Sequence, residues 1–255
     1  MDNRPIGIFD SGFGGLTALC ALRKLLPNEN IIYFGDTGNC PYGSKSKVQL
    51  KTLAENDLRF LKSFKVKAII AACGTVSANC RDILDNCDIK VINVLDSSLE
   101  KLEKTLGSAA VIATEASVRS NSFRLEGRNV VQLACPEFVP LIEDGHISSS
   151  DMLLMKSVEK TLSDIKGTDN LVLGCTHYGI IKDAILKVMG ENTNIIEASV
   201  CAAEKMAEYI KNSMPGEGGN TSYYTSGDIE RFNLIAERIV NASGCSYKSA
   251  ERAWI

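Results

Sequence analysis

The sequence predicts an α/β protein, with parallel strands joined by crossover helices. Short runs rich in β-branched and aromatic residues alternate with longer stretches of helical period along almost the whole chain. The 255 residues are 45% hydrophobic and 23% charged, with 20 Gly and 6 Pro, which suits one large domain or two small ones. No apolar run approaches the roughly 18 residues a membrane helix needs, and residues 1–5 lead straight into a strand-like segment with no signal-peptide core. A cytoplasmic location with no membrane partner is expected.

The elements follow in order. Residues 6–9 form a strand, 10–15 a glycine loop, and 16–26 a helix with Leu19, Leu22 and Leu26 on one face, stopped by Pro27. The strand at 31–34 ends in Gly35 and Asp36 and opens a turn-rich loop over 37–44. A helix over 46–64 points Leu50, Leu53, Leu58 and Leu61 inward, with Lys45, Lys47 and Lys51 on its solvated side. Strands follow at 66–72 and 91–95. A second α/β unit has strands at 109–113, 130–134, 171–173 and 194–196, each followed by a helix. Residues 214–220, rich in Gly and Pro, read as a linker before a strand at 223–225 and a helix at 229–240. The tail is expected to return to the first unit, so the domains are 1–96 with 214–255, and 97–213.

The net charge of −3 provides no basic field to gather phosphates, which argues against nucleic acid as a partner. Nine cysteines, at 20, 40, 73, 80, 87, 135, 175, 201 and 245, include no Cys-x-x-Cys pair. With only two histidines, His146 and His177, neither a disulfide framework nor a structural metal site is expected. Most of the thiols should be small buried hydrophobes. The heptad spacing of Cys73, Cys80 and Cys87 suggests the inner face of one helix, and His146 reads as exposed.

A weak internal echo bears on function. Residues 68–75 and 170–176 each place a cysteine, Cys73 and Cys175, where a buried strand gives way to a helix. Ligands bind outside the carboxyl ends of parallel strands, so both thiols should face a crevice, one from each unit. Packing alone accounts for most cysteines at such positions. Cys175-Thr176-His177 shifts the balance, since a thiol, a hydroxyl and an imidazole together serve a core poorly. Thr75 and Ser77 fit helix capping and ligand contact equally well.

The loop Asp10-Ser11-Gly12-Phe13-Gly14-Gly15 fails the dinucleotide pattern, because Thr17 stands where the third glycine belongs. It offers instead close backbone approach and a carboxylate, Asp10, at a strand end, which suits a small acidic ligand. Pro41-Tyr42-Gly43 supplies a second loop at the same sheet edge.

Taken in order, Phe9 to Gly15, Tyr33-Phe34-Gly35-Asp36 with Pro41-Tyr42-Gly43, Ala72-Cys73-Gly74-Thr75, Ala134-Cys135-Pro136 with Phe138-Val139-Pro140-Leu141, and Gly174-Cys175-Thr176-His177-Tyr178 resemble the glutamate racemase family of the aspartate/glutamate racemase superfamily. The resemblance runs nearly end to end. It implies two pseudosymmetric parallel-sheet α/β domains with the site between them, no cofactor and no metal, and a role in supplying D-glutamate for peptidoglycan. It further implies that Cys73 and Cys175 are the two bases, Asp10 assisting the first and His177 the second. Asp10, Ser11, Tyr42, Gly43, Gly74, Thr75, Thr176 and His177 would hold the substrate glutamate. A homodimer stays open.

The chain departs from the family pattern at Gly74, where Asn is usual, at Gly179, where Pro is usual, and at Glu197, where Asp is common. If the loop is otherwise unchanged, Asn restored at 74 is expected to tighten glutamate binding or leave it unaltered. Loss of activity would mean a pocket adapted to glycine. An aspartate racemase, a one-cysteine decarboxylase and a non-catalytic binder of an acidic ligand are the alternatives.

Overall fold

The computed structural model describes residues 2–213 and 215–253. Its first part runs β1 (Ile6–Asp10), α1 (Leu16–Leu25), β2 (Ile31–Gly35), α2 (Lys47–Ser63), β3 (Ala68–Ala71), the short helices α3 (Gly74–Asn79) and α4 (Arg81–Asp85), β4 (Val91–Asn93) and α5 (Val94–Glu103). A second part follows with β5 (Ala109–Ala113), α6 (Glu115–Arg119), β6 (Val130–Ala134), α7 (Phe138–Glu143), α8 (Met152–Leu162), β7 (Asn170–Leu173), α9 (Lys182–Met189), β8 (Asn194–Glu197) and α10 (Ala198–Ser213). Last come β9 (Thr221–Thr225), α11 (Ile229–Ala242) and β10 (Ala250–Arg252).

These strands form two parallel sheets. One has the order β10-β9-β2-β1-β3-β4 and the other β6-β5-β7-β8. Helices cover both faces of a parallel sheet, so its inner strands are apolar on both sides. β1, β2, β3, β5 and β7 are buried at every residue. Among the described residues no helix is long and apolar enough to cross a membrane.

Three local expectations change. The strand at 91–95 stops at Asn93, because the Asn93 side chain accepts the Asp96 N–H at 2.8 Å and starts α5 at Val94. Cys73, Cys80 and Cys87 do not share a helix. Ser77 Oγ bonds back to the Cys73 carbonyl and Asn79 Nδ2 to the Thr75 carbonyl, both at 2.9 Å, and the helix breaks at Cys80. In α2 the buried stripe is Leu50, Ala54, Asp57, Leu58 and Leu61, with Leu53 half-buried. Of the linker-like stretch, Met214 lies outside the described residues, and 215–220 carry no regular structure. The edge strand β10 has no counterpart in the sequence reading.

The expected cut at 96/97 falls inside α5, whose Leu95, Leu99 and Leu102 pack with β5 and β7 of the second sheet. α10 turns back: Ala198, Ala202, Ala203, Met206, Ala207 and Ile210 join the core beneath the first sheet with Leu16, Leu19 and Leu22 of α1.

The start of the chain is tied down by a buried ion pair. Lys67 Nζ lies 2.7 Å from Glu29 Oε2 and donates to the Asp2 carbonyl, while Glu29 Oε1 accepts the Gly216 N–H at 2.6 Å. Removing one partner strands a buried charge, so Lys67→Met should cost about 3–5 kcal/mol in a urea unfolding experiment. The double variant Lys67→Met/Glu29→Leu should recover most of that loss, because apolar packing replaces both charges.

Candidate active site

One cleft of about 710 Å³ lies at the carboxyl ends of the strands, between the two sheets. On the first wall, Asp10 ends β1 and accepts the Gly12 N–H at 3.1 Å. Tyr33 Oη fixes the same loop by donating to the Gly12 carbonyl at 3.0 Å. Cys73 follows β3, its Sγ 3.4 Å from Ser11 Oγ. Thr75 Oγ1 sits 3.1 Å from Thr114 Oγ1, which belongs to the turn after β5.

Cys175 ends the second sheet's contribution, between β7 and a 3-10 turn, Thr176–Ile181. His177 Nδ1 is 3.8 Å from Cys175 Sγ and Nε2 is 3.2 Å from Glu143 Oε1. Glu143 closes α7, and its other oxygen lies 3.8 Å from Arg231 Nη2 of α11. Tyr178 Oη donates to the Cys135 carbonyl at 3.0 Å, holding the end of β6 beside the cysteine turn.

The walls approach closely at two glycines. A Cβ on Gly14 would lie 2.4 Å from His177 Nδ1 and 2.8 Å from its backbone nitrogen. One on Gly74 would lie 2.3 Å from the Gly174 carbonyl oxygen. These contacts are with backbone or with a fixed ring, so neither yields to a change of rotamer. For Asn at 74 the geometry adds a cost: with the backbone as it stands, its Cβ must push the two cysteine turns apart before its amide reaches any ligand. The other two departures form one local exchange. A Cβ on Gly179 would lie 2.9 Å from Glu197 Oε2, and Lys182 Nζ holds Glu197 Oε1 at 2.7 Å.

Electrostatics distinguish the walls. Burial raises the Asp10 carboxyl above its ordinary value, against the opposing pull of His177 and of backbone N–H groups. Burial also pushes the Cys73 thiol up, reinforced by Asp10 and opposed by the Ser11 hydroxyl and the Val76 N–H. For His177, burial favours the neutral ring, but the bonds to Cys175 and Glu143 outweigh it and raise the imidazole from 6.5 to about 10. A doubly protonated ring donates from both nitrogens, toward the thiol and toward the carboxylate.

Asp10, Ser11, Tyr42, Gly43, Cys73, Gly74, Thr75, Cys175, Thr176 and His177 all line this cleft. Ser77 does not, since its hydroxyl bonds the Cys73 and Ala71 carbonyls. His146 is half-buried, not exposed, with Nδ1 2.7 Å from Asp151 Oδ2. Sequence reasoning missed Cys40, Thr114, Glu143 and Arg231 in the lining. Glu143 is 34 positions from His177 and sits in an ordinary polar stretch, so only the fold pairs them. Among the described residues no group of three or more His, Cys, Asp or Glu is arranged to hold a metal ion.

A relative from Caldanaerobacter subterraneus subsp. tengcongensis, named glutamate racemase 2, is 38% identical over 256 residues, covering 94% of each chain. The chain belongs to the glutamate racemase family. A glutamate racemase of Lactococcus lactis subsp. cremoris is 34% identical and covers 98% of this chain and 97% of its own. The crystal structure of glutamate racemase from Francisella tularensis, in complex with D-glutamate, superposes with a TM-score of 0.90 at 33% identity, covering 100% of this chain and 98% of that one. No protein-family model matches the chain.

Two outcomes follow from the geometry. In a nitrogen NMR titration the His177 ring should stay protonated until about pH 10. Because the folded value is raised, the stabilisation is complete below pH 6.5 and is lost as pH climbs through about 10. Gly74→Ala should cost about 1–3 kcal/mol in urea unfolding, the usual penalty for overpacking, and Gly74→Asn at least as much.

Proposed function

We propose that this chain interconverts L- and D-glutamate without a cofactor, using Cys73 and Cys175 as paired acid and base on opposite faces of Cα. The supporting observation is the placement of two thiols on facing walls of one cleft, each with its own polar partners. Ser11 and Asp10 attend Cys73, and His177 backed by Glu143 attends Cys175.

Inversion at Cα needs one proton removed and another delivered from the opposite side. A thiolate takes the α-proton and becomes a thiol, while the electron pair left on Cα spreads into the substrate carboxylate. The facing thiol then gives its proton to the other face and becomes the thiolate. The pair ends with its roles exchanged, ready for the reverse reaction.

Burial beside Asp10 favours Cys73 as the thiol, the form that delivers a proton. His177 lends positive charge near Cys175. A thiolate is a modest base for an α-proton, so the carbanion must be stabilised as it forms. Ser11, Gly43, Gly74, Thr75 and Thr176 line the cleft and supply N–H and hydroxyl donors for this. On this reading the enzyme works in the cytoplasm and its D-glutamate feeds peptidoglycan synthesis.

The test is racemisation of L-glutamate, with L-aspartate run beside it as the rival substrate, in deuterated water. D-glutamate formed at early conversion should carry deuterium at Cα almost completely, because the delivered proton comes from the cysteine that did not take the substrate's. Substantial protium in that product would sink the paired-base assignment. Cys73→Ser and Cys175→Ser should each slow turnover by about 10³-fold with the fold intact, as expected for loss of a positioned proton-transfer group.

A further inference from the structure

Beneath the loop that brings Tyr42 and Gly43 to the cleft lies an acidic cluster the proposed chemistry does not use. Asp36 follows β2, Tyr42 begins a one-turn 3-10 helix, Tyr42–Ser44, and Asp57 projects from the buried stripe of α2. Tyr42 Oη stands 2.5 Å from Asp36 Oδ2 and 3.1 Å from Asp57 Oδ2. Tyr42 is 1% exposed and both aspartates 0%. Its hydroxyl is thus committed below the loop, which leaves ring and backbone at the cleft.

The proton count decides the charge states. A phenol has one proton and can satisfy one carboxylate; a second ionised carboxylate at the same oxygen would face only lone pairs in a dry site. One of the two aspartates therefore carries a proton. Asp36 is equipped to be the ion, since Oδ1 also receives the Ser226 hydroxyl and the Asn39 amide. Asp57 lacks such donors. Its Oδ1 finds no partner among the described residues, and Leu50, Ala54, Leu58 and Leu61 share its helix face. Burial, strengthened by the charge on Asp36, favours its neutral form.

We infer that Asp57 is a carboxylic acid at neutral pH that donates to Tyr42 Oη, whose own proton goes to ionised Asp36, and that this chain is the positioning device for the Tyr42–Gly43 rim of the cleft. Asp57 touches no substrate. Its protonation stands on geometry alone, whereas its effect on turnover rests on the racemase reading above.

Infrared difference spectroscopy separates the two. At neutral pH the wild-type protein should show a carboxylic-acid carbonyl band that Asp57→Asn removes and Asp36→Asn keeps. Absence of such a band, or its loss in Asp36→Asn alone, overturns the assignment whether or not the protein racemises glutamate. In turnover, Asp57→Asn should keep KM within about twofold, because an amide N–H can replace the acid O–H. Asp57→Ala should raise KM about fivefold, the size of one neutral hydrogen bond, with a smaller change in kcat. Equal impairment in both folded variants would overturn the positioning role.

Discussion

Contact between two backbones sets the dimensions of this molecule's cleft. Gly14 meets the His177 main chain and ring, and Gly74 meets the Gly174 carbonyl, at distances that leave no room for even a methyl group. Everything placed at the strand ends inherits its separation from these two contacts. Thr17 Oγ1 adds a side-chain bridge across the same seam, 3.3 Å from the Thr176 carbonyl. Backbone contact of this sort is rigid in a way that side-chain packing is not, since no rotamer can absorb a displacement.

On that frame the two thiols acquire unlike surroundings. Cys73 sits in a dry corner beside a buried carboxyl, which favours the neutral thiol. Cys175 faces an imidazole whose far nitrogen rests on Glu143, and Glu143 in turn approaches Arg231 at the mouth. For the proposed acid/base pair such a difference is useful, because one must hold a proton when the other lacks it. The pseudosymmetry of the strands is therefore broken in the side chains that surround them.

Much of this was legible in the chain. Strand positions followed from short apolar runs, and both cysteine turns followed from a repeated strand-then-cysteine pattern, because burial and period are local properties. What escaped was set by distance in sequence. Glu143 reaches His177 only because α7 ends at the mouth of the second sheet, and Thr114 reaches Thr75 only because β5 points at β3's turn. Gly74 read as a missing side chain, whereas the fold sets it against the Gly174 carbonyl, a contact that no single strand could reveal. Asp57 was hidden in another way: an acid on an apolar stripe looks like an error of phase until Tyr42 is found above it. The break at Cys80 was illegible for a similar reason, since side chains of Ser77 and Asn79 competed for the helix's own carbonyls.

α10 has a consequence for how the chain is divided. It follows the last strand of the second sheet, yet its alanine-rich face is buried with α1 beneath the first. Neither sheet therefore owns a complete set of covering helices from its own stretch of sequence. An excised second half would carry a naked apolar helix, and an excised first half would lack part of its roof. The two sheets look like modules in outline, but they share two structural members, α5 and α10, and a gene fragment encoding either alone would encode an unfinished building.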